Sequence, residues 1–211
     1  MQLYFSPLAC SMATRIALYE AGGQAEFVEV DPPTKRTLDG QDFRAIHPLG
    51  LVPTLRTADG EVVTENAAIL QYVARQFPAA QLAPSDGVGQ ARLQQWLCFI
   101  GTELHKGLFA PLLDRKAPDA VKAYVLDKGT SRLEHVSRHL ADRAYLLDQF
   151  SVADAYLVTV LNWTLAVPID LEAWPVLAAY VGRIRERPSV AKALREEHQL
   201  YAAELARHRA A

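Results

Sequence analysis

The sequence predicts an α/β plus all-α protein: an N-terminal part that runs βαβ and then ββα, followed by a C-terminal all-helical bundle domain. Three observations predict it. Residues 1–77 switch between period-two and helical hydrophobic patterning, residues 78–89 turn to Pro, Ala, Ser, Asp and Gly, and beyond them no run alternates as a strand does. The first domain is therefore placed at 1–77, a linker at 78–89 and the helical domain at 90–211.

Taken in order, Gln2, Leu3, Tyr4 and Phe5 form a short β-prone run that Ser6-Pro7 ends. Residues 11–21 carry Ile16, Ala17 and Glu20 at helical spacing, with Gly22-Gly23 as a C-terminal stop. Residues 25–30 alternate with period two and read as a strand. Strand, helix and strand at this spacing make one βαβ unit, whose strands run parallel. A polar loop over 31–40 carries Lys35 and Arg36, a short helix is expected at 42–46, and His47-Pro48-Leu49-Gly50 is a loop. Thr54-Leu55-Arg56 and residues 61–64 flank Asp59-Gly60, a hairpin turn signal. Behind Asn66, residues 67–73 are apolar at helical spacing. This βαβ-ββα order is that of the thioredoxin fold. In the second domain, helices are expected over 90–113, 119–141, 151–165, 171–187 and 190–207, the third apolar on most sides and hence central.

Half of the 211 residues are hydrophobic and the formal charge is −2. Without a basic excess, neither nucleic acid nor an anionic membrane surface is an expected partner. No secretory signal is expected at Met1-Gln2-Leu3, and the longest apolar stretch, near 156–167, carries Asn162 and is too short to span a bilayer. Two cysteines, Cys10 and Cys98, are no disulfide framework, so a reducing cytoplasm is the expected location.

Cys10 falls between the Ser6-Pro7 loop and the first turn of a helix, where unpaired N–H groups and the helix dipole stabilise a thiolate. No Cys-x-x-Cys pair occurs. A lone thiol here either attacks a disulfide or electrophile or is a small buried hydrophobe, and the residue alone does not choose. Val52-Pro53 precedes a strand; a cis proline there would offer the Val52 backbone to an extended peptide, a trans one would simply open the strand. Asn66 is a competent N-cap whose helix N-terminus suits a carboxylate, and Glu65 could meet an ammonium group. On the long helix Cys98 and His105 lie seven residues apart on one stripe, with Gly101 and Thr102 between them and Lys106 following. No spacing of His, Cys, Asp and Glu resembles a metal site, so no metal is expected. Ser151-Val152-Ala153-Asp154 is a capping box and carries no chemistry.

These pieces resemble the glutathione S-transferases over nearly the whole chain. The resemblance rests on Ser6-Pro7-Leu8-Ala9-Cys10-Ser11, His47-Pro48-Leu49-Gly50-Leu51-Val52-Pro53, Thr64-Glu65-Asn66, Thr102-Glu103-Leu104-His105-Lys106 and Phe150-Ser151-Val152-Ala153-Asp154. Cys10 with Glu103-Leu104-His105-Lys106 looks like the bacterial beta class. The resemblance implies glutathione as co-substrate. It implies that Leu51, Val52 and a cis Pro53 meet its cysteinyl backbone and that Glu65 and Asn66 hold its γ-glutamyl end. It further implies that Lys35, Glu103, His105 and Lys106 serve the glycine end or the thiol pocket, with Cys10 and Ser11 beside the sulfur. The catalytic residues so implied are Cys10, Ser11 and His105. Phe5, Asn66 and Cys98 depart from the residues common in that class, which often has Tyr, Ser and Asn there.

The implied reaction is attack of glutathione thiolate on a small hydrophobic electrophile, a detoxifying conjugation, with thiol–disulfide exchange through Cys10 as a second branch. A non-catalytic glutathione-binding or regulatory protein on the same fold is the alternative. A homodimer is implied by the resemblance alone.

Overall fold

The computed structural model describes residues 1–210. Five strands form one mixed sheet in the order β3-β2-β1-β4-β5. They are β1 (Gln2–Phe5), β2 (Glu26–Asp31), β3 (Arg36–Thr37), β4 (Thr54–Arg56) and β5 (Val62–Thr64). β1 and β2 run parallel with Leu3 opposite Phe27, while β1 and β4 run antiparallel with Leu3 opposite Leu55. The parallel pair is joined by α1 (Met12–Glu20), and the β4–β5 hairpin leads into α2 (Asn66–Gln76). Leu3, Met12, Ile16, Leu18, Leu55, Ile69, Leu70 and Val73 are withdrawn from solvent and make the core under the sheet. Removing each such side chain from water contributes about 1.5–3 kcal/mol.

Local chemistry explains the boundaries. α1 ends where Gly22 takes φ +65°, and the Gly23 N–H then reaches back to Leu18 O at 2.8 Å, a closure that favours glycine because it has no Cβ. The loop expected over 31–40 contains the two-residue edge strand β3, paired with Val30 and Asp31. The helix expected over 42–46 is a single tight turn, Phe43–Ala45, capped by Asp42. β3 is too short for a periodic pattern to reveal it.

The helical unit comprises α3 (Gly87–Phe99), α4 (Ala110–Leu113), α5 (Asp119–Leu140), α6 (Val152–Asn162) and α7 (Pro175–Arg185). α3 begins inside the expected linker, because the Asp86 carboxylate caps it by accepting from Gly89 N–H at 2.8 Å. Between α3 and α4 the helix widens into a π-type stretch, Ile100–Phe109. Every residue of α6 is buried, as its all-round apolarity requires. Its Ser151 capping box forms, and Asp154 also accepts from Leu146 N–H at 2.9 Å and Tyr180 O–H at 2.8 Å.

The C-terminal helix, α8 (Pro188–Ala210), departs from expectation. The sequence pattern assigns it to the bundle, yet it packs on α1 and belongs with Met1–Leu82. The reason is polar: Glu196 and Glu197 of α8 meet Arg15 and Tyr19 of α1. No helix among the described residues is long and apolar enough to cross a membrane.

Candidate active site

Cys10 lies between the end of β1 and the start of α1. Pro7 has no N–H to continue the strand ladder, so the chain leaves β1 there. Leu8 then takes φ +56°, a conformation that costs a side-chain-bearing residue about 1–2 kcal/mol and turns the chain toward α1. Ser11 closes the loop: its Oγ accepts from Ser6 N–H at 3.3 Å and donates to Ser6 O at 3.2 Å. Ser6 Oγ donates to Val30 O at 2.7 Å, anchoring the loop to β2. The half-buried Cys10 thiol donates to Val52 O with the sulfur 3.3 Å away. The Asn66 amide donates to the Cys10 carbonyl at 2.9 Å. The fold thus joins Cys10, Val52 and Asn66, which the sequence holds far apart.

The Val52–Pro53 bond is cis. Pro53 is buried, Val52 half-buried and Leu51 46% exposed. Lys35, at φ +58°, lies along the same segment: a Cβ built on Gly50 would come 3.0 Å from Lys35 Cδ, and Gly50 itself has φ +60°. Both features favour glycine at position 50. Glu65 precedes α2 with φ +67°, an uncommon backbone state for a residue with a side chain, and its side chain is exposed.

Two expected roles change. Asn66 is not the cap of α2: Glu65 occupies the N-cap position without a side-chain cap bond, and Asn66 is the first helical residue. Its side chain is instead engaged with Cys10 O and with the Thr14 hydroxyl. Ser11, expected beside the substrate sulfur, is wholly buried, and its hydroxyl is used within its own loop.

Arg15, Tyr19, Glu196 and Glu197 were not singled out in the sequence. Glu197, completely buried, accepts from the Leu8 N–H at 2.6 Å and from Arg15 Nε at 2.8 Å. The Arg15 guanidinium lies 4.3 Å from the Phe5 ring centre and 3.9 Å from that of Phe27. Burial pushes the Glu197 carboxyl up to about 7, against the attraction of Arg15. A charged Arg on the buried face of α1 is the one available signal, and it names no partner.

In the helical unit, His105 sits in the π-type stretch, buried, with Nδ1 2.8 Å from the Tyr156 hydroxyl and its ring edge-on to Trp163. Burial, then the neighbouring Lys106 charge, lowers its pKa to about 4, so the imidazole is neutral at physiological pH. It can share hydrogen bonds there but cannot act as a cation. Lys106 is exposed, and Glu103 pairs with Arg132 at 3.1 Å. Cys98 is an exposed thiol, and a Cβ built on Gly101 would lie 3.7 Å from the Tyr156 hydroxyl oxygen.

Residues 9–76 match the family model of the glutathione S-transferase N-terminal domain, and residues 96–188 match that of the C-terminal domain. The chain belongs to the glutathione S-transferase family. It is 41% identical over 199 residues to glutathione S-transferase GstA of Escherichia coli O157:H7, across 93% of this chain and 98% of that protein. A sphingomonad glutathione S-transferase complexed with glutathione superposes with a TM-score of 0.90 at 44% identity, covering 94% of this chain and 99% of the other. The beta-class transferase of Sphingomonas chungbukensis superposes with a TM-score of 0.89 at 43% identity, over 93% of this chain and 98% of its own. Both domains of the transferase architecture are therefore present, and the chain's resemblance to the beta class holds at the level of solved structures.

Proposed function

We propose that this glutathione transferase activates its thiol co-substrate beside Cys10 and transfers it to small hydrophobic electrophiles. The observation that carries the proposal is the 3.3 Å approach of Cys10 Sγ to Val52 O. It sets a thiol against the backbone segment at the cis Val52–Pro53 bond, which suits pairing with a γ-glutamyl tripeptide, and it agrees with the glutathione named in the sphingomonad complex.

In this reading Leu51, Val52 and Pro53 receive the cysteinyl part of glutathione. The N-terminus of α2 receives its γ-glutamyl carboxylate, and Glu65 receives its ammonium group. Lys35 offers a cation to the glycine carboxylate. Asn66 and Ser11 act through Cys10, holding its carbonyl and its loop. Of the helical unit's residues, His105 serves as an uncharged hydrogen-bonding group and Lys106 as an exposed cation for a carboxylate. Glu103, paired with Arg132, keeps that stretch in place.

The positive end of the α1 dipole and nearby donors stabilise a thiolate without a buried general base. In conjugation the glutathione sulfur lone pair forms the new C–S bond as the leaving group departs with its electron pair. In exchange the Cys10 thiolate attacks the glutathione sulfur of a mixed disulfide between glutathione and a substrate thiol, forming a Cys10–glutathione disulfide and releasing the substrate as thiolate. A second glutathione then attacks that disulfide, leaving as glutathione disulfide and freeing the Cys10 thiolate.

Intact mass after incubation with glutathione disulfide, for wild type and Cys10→Ala, tests the site. One glutathione-sized adduct on wild type only supports a reactive Cys10 at the site; no adduct on either leaves conjugation without a nucleophilic Cys10. The proposal extends to a cytoplasmic, detoxifying homodimer. Sedimentation that finds only monomer at micromolar concentration would remove the dimer.

A further inference from the structure

A second cluster of ligand-type side chains lies on the N-terminal unit, at the meeting of β2 with the end of α8. Glu204 and His208 are four residues apart on α8 and so project from one face of the helix. Asp31, the last residue of β2, meets them: one ligand atom from each of the three lies within 4.8 Å of the other two.

The surroundings distinguish this cluster from an ordinary surface ion pair. Glu204 is only 7% exposed, and among the described residues its carboxylate accepts no hydrogen bond. A carboxylate with little access to water and no protein donor is normally matched by a cation. Asp31 is oriented from behind, since its Oδ2 accepts from both the N–H and the hydroxyl of Thr34, leaving Oδ1 to face His208 Nε2. Supporting bonds of this kind orient metal ligands. The charges are also unbalanced. Three carboxylates, Glu29, Asp31 and Glu204, stand near one guanidinium, Arg207, which is paired with Glu29. That one guanidinium leaves two of the three carboxylate charges unmatched, and one divalent cation matches them.

We propose that Asp31, Glu204 and His208 bind one divalent cation of the zinc type, which ties the end of α8 to the end of β2. Two carboxylates and an imidazole are a borderline N/O donor set suited to Zn²⁺ or Co²⁺, with water completing the coordination. Ligand atoms on one such ion lie about 3.3 Å apart, as follows from metal–ligand distances of about 2.0–2.2 Å. Small side-chain adjustments bring this cluster to that spacing, with the cation taking the place of the direct contact between Asp31 Oδ1 and His208 Nε2. The partly exposed His208 gives an entry path from solvent. The sequence alone shows only Glu204 and His208; Asp31 comes from the opposite end of the chain.

The test is Co²⁺ titration of the full chain after chelator treatment, followed by optical spectroscopy and by thermal melting with and without the ion. The expected result is one Co²⁺ per chain and a spectrum without a thiolate charge-transfer band, which separates this site from Cys10 and Cys98. Melting should rise with the ion, and affinity should fall at least about tenfold in Glu204→Gln and in His208→Ala. His208→Ala removes a partly exposed side chain near the helix end, so it keeps the fold in the comparison. No bound Co²⁺ in large molar excess, a thiolate band, or binding undiminished in both variants would each overturn the proposal.

Discussion

Truncating Glu197 to alanine tests how the thiol loop is held. The change removes the acceptor for the Leu8 N–H at 2.6 Å and the partner of Arg15 Nε at 2.8 Å, both away from solvent. The Arg15 guanidinium is then left charged between Phe5 and Phe27, with only the weaker Glu196 contact at 3.5 Å and the Tyr19 hydroxyl at 3.2 Å. Breaking a buried ion pair on one side costs about 3–5 kcal/mol. In a protein of this size that lowers the melting temperature by on the order of 10 °C. The measurement belongs at pH 8, above the carboxyl's raised value of about 7, so that the wild-type pair is ionised. Replacing both partners, Arg15→Leu with Glu197→Leu, should recover most of the loss, because neither charge remains buried. The Leu8 N–H stays without its acceptor in the double variant. Cys10 alkylation by iodoacetamide, followed by mass, should therefore remain altered although stability returns. A Glu197→Ala melt within about 2 °C of wild type, a shift worth less than about 1 kcal/mol, would refute the argument. So would a double variant no more stable than the single one.

Two further outcomes are expected. His105 is held neutral with a pKa lowered to about 4, while the unfolded chain protonates near 6.5; stability from this group is present above 6.5 and is lost as pH falls through about 4. The loss should approach about 3 kcal/mol, and urea titrations of wild type against His105→Gln across that range should show the acid limb only in wild type. Asp154→Ala removes a wholly buried carboxylate that accepts from Leu146 N–H, Ser151 N–H, Ser151 Oγ and Tyr180 O–H. It should cost about 3 kcal/mol or more and give mostly insoluble protein on expression; an unchanged melting curve would count against it.

Much of the fold was legible because its signals are local. The β-prone run of β1, the period of β2, the stop at Gly22, the turn at Asp59-Gly60 and the Ser151–Asp154 box each need only neighbours a few residues away, and each appears in the structure. The family motifs were legible for the same reason: they are short, and their order along the chain is itself information. The two-residue β3 left no pattern to read, and the helix expected over 42–46 is present only as the shorter Phe43–Ala45 turn.

What only the tertiary structure decided is which groups meet. Asn66 resembled a helix cap because an Asn before an apolar helix usually is one, but its amide goes to the Cys10 carbonyl. His105 was implied to serve the glycine end or the thiol pocket, and burial leaves it neutral there. The amphipathic pattern of α8 says that one face is covered, whatever covers it, and α1 rather than the bundle does so. Hydrophobic periodicity records how often a side chain turns inward, which the sequence determines by itself. The identity of the partner depends on chain segments brought together from afar, as Glu197 is to Leu8 and Asp31 is to His208.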